Sequence, residues 1–173
     1  MVCLLGLTSM VNAKDVVFDF TAPEKLTPTL TPINGSYKEV SINDTLFTNG
    51  SVTFKAVKGE STTTNNRIWT NKTTKYELRG YTGSTFTFTA GEGETITNIV
   101  LAGSSNTSLS TTEGTFTEGT WTGAANQVVL TVTGSLKLTT MTITPIWDKV
   151  ELLIGCWKAE AEAPCVFIRV PAS

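Results

Sequence analysis

Between residues 75 and 100 the chain reads KYELRGYTGSTFTFTAGEGETITNIV, and its apolar and polar positions alternate with a period of two. That period sends successive side chains to opposite faces of a strand, one toward a core and one toward water. Phe86 and Phe88 fall inward, against outward Thr85, Thr87 and Thr89. The pattern recurs along the chain. In DVVFDF, Val16, Phe18 and Phe20 share one face, and in NGSVTFKAVKGE so do Val52, Phe54 and Ala56, after an Asn49-Gly50 turn. YKEVSI, DTLF, RIWT, TITNIVLAGS and TFTEGTW read as further strands, and QVVLTVTGSLKLTTMTIT as a hairpin turning at Gly134-Ser135. EKLTPTLTPINGS holds Pro23, Pro28 and Pro32, which forbid a central strand and predict an extended edge or loop. ESTTTNN and SNTSLSTTEG read as surface loops. The sum is roughly nine to eleven strands and no helix. The expected fold is all-β, a two-sheet antiparallel β-sandwich, jelly-roll-like, over residues 14–145.

Composition supports that reading. All 33 threonines precede Pro145, and a β-branched hydroxyl residue suits the wet face of a strand. The net charge is -2 with no basic run, so nothing draws a polyanion such as nucleic acid. Histidine is absent, which removes the commonest general base and the commonest metal ligand. No enzyme is expected: a Ser or Cys nucleophile lacks its usual base. Glu77 with Glu92, Glu94 or Glu118 are scattered acids rather than a recognisable carboxylate pair. The GEGE at 91–94 is a turn, because no helix follows to aim its dipole at a phosphate. No cofactor is expected. A structural calcium ion would have to use the strand-end acids Asp19, Asp44 and Asp148, which form no dense acidic loop.

The two ends differ from the body. Residues 1–13 read as a truncated signal peptide: Val2 to Val11 is an apolar run too short to span a bilayer, and Val11-Asn12-Ala13 is a cleavage signal. The mature protein is therefore expected to be secreted, periplasmic or at the cell surface, with no membrane span. Residues 146–173 form an atypical C-terminal tail, in which KAEAEAP suits a short helix and CVFIRV a strand. Cys156 and Cys165 either form one disulfide in an oxidising compartment or stay unpaired.

VVFDFT, RIWTN, YELRGYTGSTFTFTAGEGETITNIVLAGSS and GTWTGAANQVVLTVTGSLKLTTMTIT together resemble modules of secreted, largely uncharacterised proteins of Bacteroides and Prevotella relatives, over roughly residues 15–144. The resemblance implies an exported β-sandwich from a glycan-degrading bacterium, fused to other surface or hydrolytic modules, and it implies no catalytic residues. Asp44-Thr45-Leu46 fits the pattern by which such bacteria O-glycosylate exported proteins, which makes Thr45 the candidate acceptor; the plainer reading of Asp44 is a turn residue.

One strand face invites a ligand. If Leu78 points to the core, Glu77, Arg79 and Tyr81 share the opposite face. A sugar site needs an aromatic ring to stack on the apolar side of a pyranose, and fixed polar groups to bond its hydroxyls. Tyr81 and Arg79, with Trp69 or Trp121 from another strand and Asn71, Asn98 or Asn106 nearby, supply those types. The plainer reading makes Glu77 and Arg79 a weak surface pair and the two tryptophans core packing. The function expected is a non-catalytic exported module binding glycan or a cell-surface partner; the alternative is a structural spacer or assembly module of a surface protein.

Overall fold

The structure, a computed structural model, describes residues 14–70 and 75–147, together with the backbone of strands at Lys149–Leu153 and Phe167–Pro171. Alternation becomes strand wherever a run of β-branched and aromatic residues can bury one face. The strands are β1 (Val16–Asp19), β2 (Leu46–Asn49), β3 (Val52–Val57), β4 (Arg67–Trp69), β5 (Glu77–Gly80), β6 (Thr85–Thr89), β7 (Glu94–Ala102), β8 (Leu109–Thr111), β9 (Thr115–Thr117), β10 (Thr120–Ala125), β11 (Gln127–Val132), β12 (Leu136–Leu138), β13 (Thr140–Trp147), β14 (Lys149–Leu153) and β15 (Phe167–Pro171). A single 3-10 turn, Pro23–Lys25, is the one helical element among the described residues.

Two five-stranded antiparallel sheets face each other, ordered β1-β13-β7-β10-β9 and β2-β3-β6-β11-β8. The chain steps repeatedly from one to the other, with β6, β8 and β11 in the second sheet and β7, β10 and β13 in the first. That alternation makes the sandwich jelly-roll-like. In both sheets the edge strands have three or four residues and the interior strands five to nine. A third sheet, β12-β5-β4, adds buried Leu136, Leu138, Leu78 and Ile68 to the same core. It sits so close to β6 that a Cβ on Gly80 would lie 2.9 Å from the Phe86 ring.

Phe54 is the centre of the core, within 5.2–6.1 Å (ring centroids) of Phe18, Phe20, Phe47, Phe86 and Phe88. Phe18 comes from the first sheet and Phe54 from the second, so the rings join the two layers. Asn49-Gly50 makes the β2–β3 hairpin, with Gly50 at φ +56°, the left-handed conformation that such turns require.

Two strand expectations fail for identifiable reasons. YKEVSI forms no strand: Ser41 makes only an isolated bridge to Arg67, and Glu39 sits at φ +71°, which breaks an extended run. The hairpin at Gly134-Ser135 does not form either. β11 pairs with β6 and β8, whereas β12 leaves to pair with β5. Alternation continues through both segments, so it carries no mark of the change of partner. Within SNTSLSTTEG, Leu109 is buried and β8 replaces part of the expected loop.

Candidate functional site

β4, β5 and β12 each alternate, and their register fixes what the outer face carries. Inward lie Ile68 and Leu78, opposite one another, and Leu138 opposite Leu78. Outward, Arg67 faces Arg79 and Arg79 faces Lys137. Adjacent strands lie about 4.8 Å apart, so three cations stand in one row across the sheet. The row is extended by backbone bridges, Ser41 to Arg67 on one side and Ser105 to Lys137 on the other. The next row pairs Trp69 with Glu77.

Segment 38–42 lies along β4: the Glu39 N–H donates to the Ile68 carbonyl and the Ile68 N–H to the Val40 carbonyl, both at 2.9 Å. This carries Lys38 and Glu39 onto the same face. Glu39 pairs with Arg67, and the Glu77 carboxylate accepts from Arg79 Nε at 3.0 Å. Around the half-buried indole of Trp69 stand three cations, Arg67 at 4.6 Å, Lys38 at 4.7 Å and Arg79 at 5.0 Å from the ring centroid. Arg67 also lies 5.6 Å from the Tyr81 ring. Buried Asn66 holds the end of β5, accepting from the Tyr81 N–H at 3.2 Å and donating to the Asn43 side chain at 2.9 Å.

Trp69, Arg79 and Tyr81 are thus brought together as expected. Glu77 shares their face but is only 2 % exposed: Trp69 stands directly across from it and Arg79 folds back onto it, so it anchors the arginine rather than meeting solvent. Trp121 does not belong to the site. It lies in β10 of the first sheet, 0 % exposed, with its indole N–H donating to the Glu113 carbonyl at 2.7 Å. Gly114 and Gly123 pack on it so closely that a Cβ on either would come within 2.7 Å of the ring. Asn98 lies on β7 and pairs with β10 and β13, and the Asn106 amide is spent on the Leu101 carbonyl. Asn71, Asp148, Cys156, Cys165 and the leader residues 1–13 lie outside the described residues.

Thr45 is half-buried in the turn before β2. The strand-end acids are locally engaged: Asp19 accepts from the Thr21 N–H and hydroxyl, and Asp44 pairs with Lys55 at 3.5 Å. Among the described residues no three acidic or thiol side chains converge as a metal site would require. A separate cleft of about 240 Å³ lies between β1, β2 and the 3-10 turn, lined by Val17, Phe18, Lys25, Leu26 and Asn49 among others. The Asn49 amide there donates to the Val17 carbonyl at 2.8 Å.

Sequence reasoning missed Lys38, Glu39, Arg67 and Lys137. Arg67-Ile68-Trp69 and Leu136-Lys137-Leu138 each carry a local signal, an outward cation beside an inward apolar residue. Their meeting depends on the β4-β5-β12 register, which no local pattern encodes. No family model matches this chain, and neither a curated protein nor a solved structure does.

Proposed function

We propose that the chain is a non-catalytic, exported β-sandwich module that binds glycan, or a glycan-bearing surface partner, through the outer face of β4, β5 and β12. One observation carries the reading: a half-buried indole, Trp69, ringed by three cations within 5.0 Å and flanked by Tyr81. Aromatic rings grouped with fixed hydrogen-bond donors are what an oligosaccharide needs: Tyr81 offers a ring, and the cations over the indole offer partners for sugar oxygens. Arg67, Trp69, Arg79 and Lys137 lie on strands, which hold these groups in place before a ligand arrives, and Lys38 and Tyr81 stand beside them on adjoining segments. Export rests on the sequence of the leader. Among the described residues no helix is long and apolar enough to cross a membrane.

A broad glycan array, probed with the full chain and with Trp69→Ala/Tyr81→Ala, tests the reading. Selective binding by the parent protein, lost in a variant that remains folded, supports it. Silence of a folded parent protein across the array refutes it.

A second reading, a structural spacer or assembly module, is favoured by the two broad outer faces. Val17 and Val100 are exposed on one, and Leu46, Val57 and Val129 on the other. That reading predicts a molecular size that rises with concentration, measurable by sedimentation.

A further inference from the structure

We infer that the ligand of this face is an acidic polysaccharide, a polyuronate whose carboxylates are met by Lys38, Arg67, Arg79 and Lys137; the inference rests on the reading of this face as a glycan site. The first argument is charge segregation. Four of the ten residues in β4, β5 and β12 are charged, whereas the ten strands of the two large sheets carry only Asp19, Lys55 and Glu94. The chain as a whole has a net charge of -2, yet this face sets four cations against two carboxylates, Glu39 and Glu77. The positive excess is local, and both carboxylates are already engaged by Arg67 and Arg79.

The second argument is register. Arg67, Arg79 and Lys137 are direct cross-strand neighbours, and like charges directly opposite one another destabilise a sheet. Among the described residues the Lys38 and Lys137 ammonium groups make no hydrogen bond or ion pair, and buried Arg67 Nε has no partner. An anion laid across the row offsets the repulsion and supplies acceptors to the two ammonium groups. Guanidinium forks match carboxylates in a bidentate manner. A polymer with one carboxylate per sugar can present successive anions to successive strands, about 4.8 Å apart.

The third argument comes from Trp69. Its ring is already approached by three cations, so a neutral sugar would have to displace them to stack, forfeiting those attractions. A uronate leaves them in place and gains from them. The left-handed backbone of Glu39, φ +71°, turns segment 38–42 so that Lys38 and Glu39 come into line with the row.

Calorimetric titration of the full chain with polygalacturonate and with alginate, each against its esterified form, tests the inference, because esterification removes charge and keeps the backbone. The variants are Lys38→Gln/Lys137→Gln, which touches neither ion pair, and Trp69→Ala. At least one acid is expected to bind about tenfold tighter than its ester, to weaken as salt rises, and to lose about tenfold in the lysine variant at unchanged melting temperature. Equal binding of acid and ester, abolished by Trp69→Ala, overturns the acidic ligand and keeps the face as a glycan site. So does failure of both polyuronates where the array yields a Trp69-dependent neutral ligand. Tight acid binding indifferent to the lysine variant also overturns it. Absence of binding to any glycan, acidic or neutral, overturns both readings together.

Discussion

Truncating Phe54 to alanine tests the account of the core at its centre. The residue is fully buried, and its ring meets five others, stacked on Phe47 and Phe88 and edge-on to Phe20 and Phe86. Deleting a buried phenylalanine ring costs about 3–5 kcal/mol, and each favourable ring pair adds about 0.5–1.5 kcal/mol beyond area burial. Five packed neighbours, drawn from both sheets, leave little room for collapse into the gap, so the upper part of the first range is expected, about 4–5 kcal/mol. Typical domains have about 5–15 kcal/mol in all, so the variant loses a large share of its stability. Phe54→Leu keeps most of the volume and is expected to cost about 1–2 kcal/mol. Phe116→Ala is the control: that ring is half-buried in edge strand β9, and its loss should cost about 1 kcal/mol. Urea unfolding followed by far-ultraviolet circular dichroism measures all three. If Phe54→Ala costs no more than Phe116→Ala, the five-ring cluster is not what joins the sheets.

Three further perturbations separate local roles. In Gly103→Ala the new methyl would sit inside van der Waals contact of the Lys137 carbonyl and 2.7 Å from Leu138 Cα; because the obstacle is backbone, a loss of about 1–3 kcal/mol is expected, with weaker ligand binding as β12 shifts. Asn66→Ala takes the acceptor from the part-buried Tyr81 N–H and one of two donors from the Asn43 oxygen, which keeps the backbone N–H of residue 66. It should cost about 1–2 kcal/mol by urea unfolding, whereas a neutral result means that water replaces the amide. For iodide quenching, Trp121→Phe is expected to remove protected emission and Trp69→Phe accessible emission; equal accessibility of the two indoles would contradict their placement.

Much of the sandwich was legible because burial writes itself into a chain one residue at a time. Val52, Phe54 and Ala56, or Phe86 and Phe88, need no knowledge of their partners to be assigned inward, and all are buried. Partnership is a different matter. The same alternation runs through β11, β12 and β13, yet these strands lie in three different sheets. The site divides along the same line. Arg79 and Tyr81 stand two apart on one face, and so were found together. Lys38 joins them only through the Glu39–Ile68 and Val40–Ile68 bonds, and Lys137 through its pairing with Arg79, all of them long-range, and both left no local trace. Trp121 was misplaced because an indole reads alike on either face until its neighbours are known; Gly114 and Gly123, whose lack of side chains makes room for the ring, were the one hint.

The lengths of the edge strands bear on how this molecule behaves at high concentration. An unpaired strand edge is a template on which a second chain can build, and long flat edges seed fibrils and swapped dimers. Here β1, β2, β8 and β9 offer three or four residues each, and the Asn49 amide already occupies the Val17 carbonyl on β1. The two large sheets therefore end in stubs that give an incoming strand too few bonds to hold. Contacts that these two sheets make with other copies are thereby steered to their broad threonine-rich faces and away from the backbone ladder.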